Sequence, residues 1–215
     1  MNAPRNATTD TQAMARDERA ELVDLLASLT AEQWDAPTLC DQWRVRDVIA
    51  HMFSYDELST IGLIGRLLRS GLSPERANAI GVAAYADRGP DQLITLARTH
   101  LQPNGLTAKF GGRIALTDGM IHHQDIRRPL GLSRRIPAPR LTVALDFAAT
   151  ARPIRAARRI HGLKLAATDL DWSTGEGPEV TGPAESLLMA LAGRRGITPE
   201  LTGPGVATLT ERIDG

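Results

Sequence analysis

Residues 112–131 read GRIALTDGMIHHQDIRRPLG. The stretch from Gly111 or Gly112 to Arg127 reads as one helix, stopped by Pro129 and Gly131. At the helical repeat, Asp118, His122 and Asp125 fall at about 40°, 80° and 20° from Ile114, an arc of about 60° flanked by Ile114 and Ile121. Three ionisable groups therefore lie on or beside an apolar face. Buried without partners they are costly, so this face needs either a hydrogen-bonded network or a cation. His123 points about 100° away from His122 and is the weaker candidate despite being adjacent.

Working outward, the chain reads as helices up to about residue 160. Met14 to Leu29 places Leu22, Leu25, Leu26 and Leu29 at helical spacing with charges opposite. Thr30 and Gln33 have the form of a capping box, and Pro37 leaves room for only a short turn or helix. A long helix is expected from Arg44 to Ser70, with Val45, Val48, Ile49, Met52 and Phe53 on one side, ended by Gly71 and Ser73-Pro74. Further helices are expected from Ser73 to Ala86, from Asp91 to His100, and from Pro139 to Ile160 with a kink at Pro153. After His161-Gly162 the texture changes. Leu163–Thr168 and Glu179–Thr181 read as small strands around a turn-rich stretch, Pro183–Ala192 as a helix, and Gly205–Ile213 as a last one. The expected organisation is a disordered tail at 1–13, a helical bundle at 14–160 and a small α+β unit at 161–215. The fold class is mainly α.

His51 lies at the border of the apolar stripe of the long helix, with Val48 and Tyr55 about one turn away on either side. A carboxylate and a histidine at i, i+4 on one helix, joined by a histidine from another, make a set of two histidines and one carboxylate. That pattern suits a divalent metal with an open coordination position. Alternatively each histidine satisfies a local hydrogen bond.

Composition narrows the partners. The 215 residues carry 25 Lys and Arg against 25 Asp and Glu, which removes the basic excess that nucleic acid or an anionic membrane normally selects. One cysteine, Cys40, allows no intramolecular disulfide and no cysteine-built metal site, and the reading is cytoplasmic. Residues 127–159 hold nine arginines with Asp146 as the single acid, read as a solvated face and its connecting loop rather than an anion-binding surface.

Leu39-Cys-Asp-Gln-Trp-Arg-Val-Arg-Asp-Val-Ile-Ala-His51 and Asp118-Gly-Met-Ile-His-His-Gln-Asp-Ile-Arg-Arg-Pro-Leu-Gly131 together resemble the mycothiol-dependent maleylpyruvate isomerase family, a branch of the DinB-like metalloenzymes. Leu163-Lys-Leu-Ala-Ala-Thr-Asp, Gly182-Pro-Ala-Glu-Ser-Leu-Leu and Gly203-Pro-Gly-Val-Ala are similar to that family's C-terminal segment. The resemblance implies a DinB-like four-helix bundle with a small C-terminal α+β domain, a divalent metal such as zinc on His51, Asp118 and His122, and mycothiol as cosubstrate. It implies thiol addition and isomerisation, or thiol transfer, on a small electrophile. Asp125 would orient a ligand histidine or contact the cosubstrate, and Arg194 or Arg195 would pair with a substrate carboxylate. Two positions depart from the family: the usual glutamate ligand is Asp118, and the glycine before Trp43 is Gln42.

Other residues have structural readings. Cys40 reads as a buried structural thiol, Trp34, Trp43 and Trp172 as packing residues, His100 as a helix C-terminal dipole partner and His161 as structural. Loops at Ser70–Pro74 and Lys109–Gly112 are where substrate preference would vary. The partners expected are a small electrophile and a thiol, with a homodimer possible. Two other functions fit the same residues: a non-catalytic DinB-like metal- or small-ligand-binding protein, and a thiol-independent metal-dependent hydrolase.

Overall fold

A computed structural model describes residues 10–215. Eleven α-helices are present among them: α1 (Thr11–Ser28), α2 (Ala31–Trp34), α3 (Val45–Ser54), α4 (Thr60–Arg69), α5 (Pro74–Ala83), α6 (Pro90–Thr99), α7 (Arg113–Arg127), α8 (Ala138–Thr150), α9 (Ala156–Arg159), α10 (Ala184–Leu191) and α11 (Val206–Asp214). Three short strands, β1 (Lys164–Ala167), β2 (Ser173–Thr174) and β3 (Glu179–Gly182), form one sheet in the order β2-β1-β3, with β1 antiparallel to β2 and parallel to β3. Among the described residues no helix is long and apolar enough to cross a membrane.

α1 packs on α6 and α7, α3 packs on α5, α6 and α7, and α8 covers the far side of α7. Leu22, Leu25 and Leu26 of α1 meet Val48, Ile49 and Phe53 of α3 in one apolar cluster with α6. A second cluster joins Leu116 and Met120 of α7 to Leu145 of α8, and continues through Leu165, Val180 and Leu187. The apolar core therefore runs across the change of texture near residue 160. Trp172 fixes the same junction by donating its indole N–H to Asp146 at 2.9 Å.

Three boundaries differ from the sequence reading. The first helix begins at Thr11, capped by Asp10, inside the stretch read as a tail; residues 1–9 lie outside the described residues. The helix expected over 44–70 is two helices, broken at Tyr55–Ser59, and Ser59 caps α4 by accepting from the Gly62 N–H. The break follows from Asp56. Its buried carboxylate pairs with Arg19 of α1 at 3.0 Å and accepts from Asn104 N and Thr107 Oγ1, which a continuous helix would not allow at once. The third concerns Pro153, which ends α8 rather than kinking it: Ala151 is extended, Arg155 is left-handed at φ 59°, and α9 is a separate turn. The arginine run is largely tied down, with Arg128 on Glu185 and Glu200, and Arg134 and Arg140 on Glu18 and Glu21.

Candidate metal centre

α3 and α7 bring the three sequence-selected residues together. The donor atoms of His51, Asp118 and His122 all lie within 4.8 Å of one another. Asp118 Oδ1 is 3.4 Å from His122 Nε2, and the rings of His51 and His122 meet edge to face at 5.0 Å. Both histidines are buried, whereas the Asp118 side chain is 40% exposed, so the cluster opens to solvent on the carboxylate side. Nδ1 of His51 is buried with no hydrogen-bond partner. Two imidazoles and a carboxylate with an unused buried nitrogen fit a divalent cation of the borderline-soft class.

Behind His122 stands a second layer. His122 Nδ1–H donates to Asp125 Oδ2 at 2.9 Å, which leaves Nε2 facing Asp118 and His51. Asp125 is fully buried and is gripped by Arg194, whose Nε and Nη2 each reach a carboxylate oxygen at 2.7 Å. Of the two arginines it is Arg194 that meets Asp125: Arg195 is exposed and makes no hydrogen bond or ion pair among the described residues. It also alters the role expected of Arg194, because the fork that would hold a substrate carboxylate already holds Asp125.

The charges follow from these contacts. Burial pushes the Asp118 carboxyl up, but the His122 and His51 imidazoles outweigh it and hold it down at about 2. Burial likewise raises Asp125, and the hydrogen bonds from His122 and Arg194 overcome it, so this carboxyl stays far below the usual range. Burial disfavours the His122 imidazolium, yet Asp118, Cys40 and Asp125 raise its pKa well above the ordinary value. His51, desolvated and facing His122, is lowered to about 4. Protonated on both nitrogens, the His122 imidazolium lies between the two aspartates, Nδ1 toward Asp125 and Nε2 toward Asp118.

Sequence reasoning missed part of the site. Cys40, read as a buried structural thiol, is partly exposed, and its Sγ lies 3.0 Å from Asp125 Oδ2 and 3.6 Å from both His122 Nδ1 and Arg194 Nη2. A backbone bond from Leu39 N to Asp125 O, 3.1 Å, carries its loop there. Trp43, read as packing, lies against His51 with ring centroids 4.8 Å apart, and Tyr55 meets the same ring edge-on at 5.9 Å. His51 is thus held by aromatic surfaces where a hydrogen bond would otherwise orient it. Position 42 is left-handed at φ 67°, a conformation glycine adopts without cost, which explains the glycine expected there and makes Gln42 strained. His123 lies apart from the centre, buried between Glu18, Arg127 and Arg134, and His100 bonds the Leu96 carbonyl at the end of α6.

Residues 15–102 match the family model described as the mycothiol maleylpyruvate isomerase N-terminal domain. That segment contains His51 but neither Asp118 nor His122. Two solved structures cover 90% of the chain and 91% of their own at 16% identity: a histidine-to-alanine mutant of the mycothiol-dependent maleylpyruvate isomerase, TM-score 0.59, and the mycothiol-dependent maleylpyruvate isomerase itself, TM-score 0.53. The comparison with curated proteins gave no match. Residues 15–102 are therefore similar to the mycothiol maleylpyruvate isomerase N-terminal domain, and the chain as a whole has the fold of the solved maleylpyruvate isomerase.

Proposed function

We propose that this protein is a metal-dependent enzyme that uses mycothiol, in the manner of a maleylpyruvate isomerase, for addition and isomerisation or thiol transfer on a small electrophile. The observation that carries the proposal is the convergence of His51, Asp118 and His122 on one point, with Asp125 orienting His122 from behind. The family match and the shared fold support the thiol and the substrate class. A divalent cation such as zinc, held by these three side chains, supplies a Lewis acid beside which a thiol ionises near neutral pH.

The chain's own groups set the rest. Asp125 accepts from His122 Nδ1 and so keeps Nε2 free as a ligand, the usual carboxylate support of a metal-bound histidine. Arg194 balances the Asp125 charge and holds it still, which makes Arg194 a positioning residue. Trp43 and Tyr55 fix the plane of His51 and wall the cleft. In isomerisation, the thiolate sulfur adds to a conjugated double bond and the electron pair moves onto the carbonyl oxygen. The former double bond rotates, the pair returns, and the C–S bond breaks to release the thiolate unchanged.

The test is elemental analysis of untagged protein, followed by calorimetric titration with mycothiol. Near-stoichiometric divalent metal, lost in His51→Ala and His122→Ala, together with saturable thiol binding, is the expected result. Absence of metal after reconstitution overturns the proposal. Metal-dependent turnover indifferent to thiol would instead identify a hydrolase.

A further inference from the structure

α4 is inverted relative to its neighbours. Its one buried side chain is a cation, Arg66, which donates to the Ser54 hydroxyl and carbonyl and stacks over the Tyr55 ring. Its outer face is aliphatic: Ile61 is 83% exposed, Ile64 52% and Leu68 68%, and Leu72 beyond the helix is 70% exposed. At the helical repeat Ile61, Ile64, Gly65 and Leu68 share an arc of about 100°. Together the four large side chains bare on the order of 500 Å² of apolar surface, at the upper end of what monomeric proteins leave to water. Leu72 is held outward in a left-handed conformation, φ 62°, that leucine seldom adopts.

We infer that this face pairs with the same face of a second copy, the two α4 helices running antiparallel across a two-fold axis. The stripe contains both a knob and a hole. A Cβ built on Gly65 meets nothing within 4 Å, so the surface is indented there, between projecting Ile61, Ile64 and Leu68. A two-fold midway between positions 64 and 65 seats Ile64 over the partner's Gly65, and Ile61 against the partner's Leu68. Each contact then occurs twice, as an isologous interface requires. The roughly 500 Å² of these side chains is over half of the roughly 800 Å² per partner of a specific interface, which fits a weak, concentration-dependent pair. A lipid surface suits the face poorly, because the chain is neutral overall and the stripe is bordered by two exposed cations, Arg69 and Arg76, rather than by a basic cluster.

Sedimentation velocity of the full chain, from about 1 to about 300 µM, tests the proposal. A concentration-dependent dimer is expected, weakened at least about tenfold by Ile64→Glu and also by Gly65→Gln. Gly65→Gln is the decisive variant: it leaves a single chain undisturbed and favours the helix, yet it fills the hole the partner needs. Circular dichroism and thermal melting check that both variants fold. A wild type that stays monomeric throughout overturns the inference, as does a dimer that both variants preserve. Flotation of monomeric wild type with mixed phosphatidylcholine and phosphatidylglycerol vesicles would overturn it too, by assigning the face to lipid.

Discussion

His122 and His123 are neighbours on α7, both buried, and they serve opposite ends. His122 faces a cluster with unused donor atoms that is open on the Asp118 side, and its partners raise its pKa well above the ordinary value. His123 is closed in. Its Nδ1–H donates to Glu18, its Nε2 accepts from Arg127, and burial lowers its pKa to about 4. Glu18 in turn is held by His123, Arg134 and Arg140, so the second network leaves it nothing to offer a ligand. Burial does not make a histidine functional; an unfilled place among its partners does. The network that takes both nitrogens of His123 ties α1 to α7 and the following loop, whereas the cluster around His122, with His51 Nδ1 unpartnered, could hold a cation.

The comparison can be broken most sharply by His122→Ala, which should abolish stoichiometric metal binding while the chain still melts cooperatively. Equal metal content in the variant and the wild type would remove the distinction. Glu18→Ala should do the reverse, costing about 3–5 kcal/mol in urea unfolding because it leaves His123 without its acid and Arg134 with only the half-exposed Glu21, and leaving metal content unchanged. Asp125→Asn keeps the shape behind His122 but withdraws the charge, and metal affinity measured by competition with a chelating dye should fall about 10- to 100-fold.

A pH series separates the networks further. The unfolded chain protonates His123 near 6.5, whereas the folded chain resists until about 4. The unfolded state thus binds more protons across that window, and stability falls as pH drops from 6.5 to 4. Glu18, lowered from 4.5 to about 2 against the pull of its own burial by His123 and Arg134, extends the loss as pH falls from 4.5 to 2. In chelator-treated protein, melting temperature should decline less steeply between pH 6.5 and 4 in His123→Gln than in the wild type. Equal slopes would mean that His123 is not the group resisting protonation. The smallest effect is expected at Gln42→Gly, where relief of a left-handed glutamine should gain a few tenths to about 1 kcal/mol, read as a shift in the urea midpoint.

Much of the site was legible locally. Asp118, His122 and Asp125 share a face because the backbone repeat puts them there, and His51 borders an apolar stripe for the same reason. Cys40 was not legible: its partners are 82, 85 and 154 residues away in sequence, and nothing beside it reveals that Leu39 bonds the Asp125 carbonyl. The choice of Arg194 over Arg195 was hidden similarly, since adjacent arginines differ only in which one meets Asp125. The break at Tyr55–Ser59 also has a distant cause, Asp56 turning inward to Arg19.

By itself, then, the sequence determined that the chain is mainly helical up to about residue 160, which residues share a face of α7, and that no charge excess directs the chain to nucleic acid. These follow from periodicity and composition, which act within one or two turns or over the whole chain at once. Tertiary structure alone decided that Cys40 and Arg194 converge on Asp125, that both ring nitrogens of His123 are taken within one closed network while His51 Nδ1, beside His122, has no partner, and that α4 turns Arg66 inward and its aliphatic side chains to water. Such outcomes depend on which distant groups come within about 3 Å, and the free energy of those contacts is set by burial and partner geometry that no local window contains.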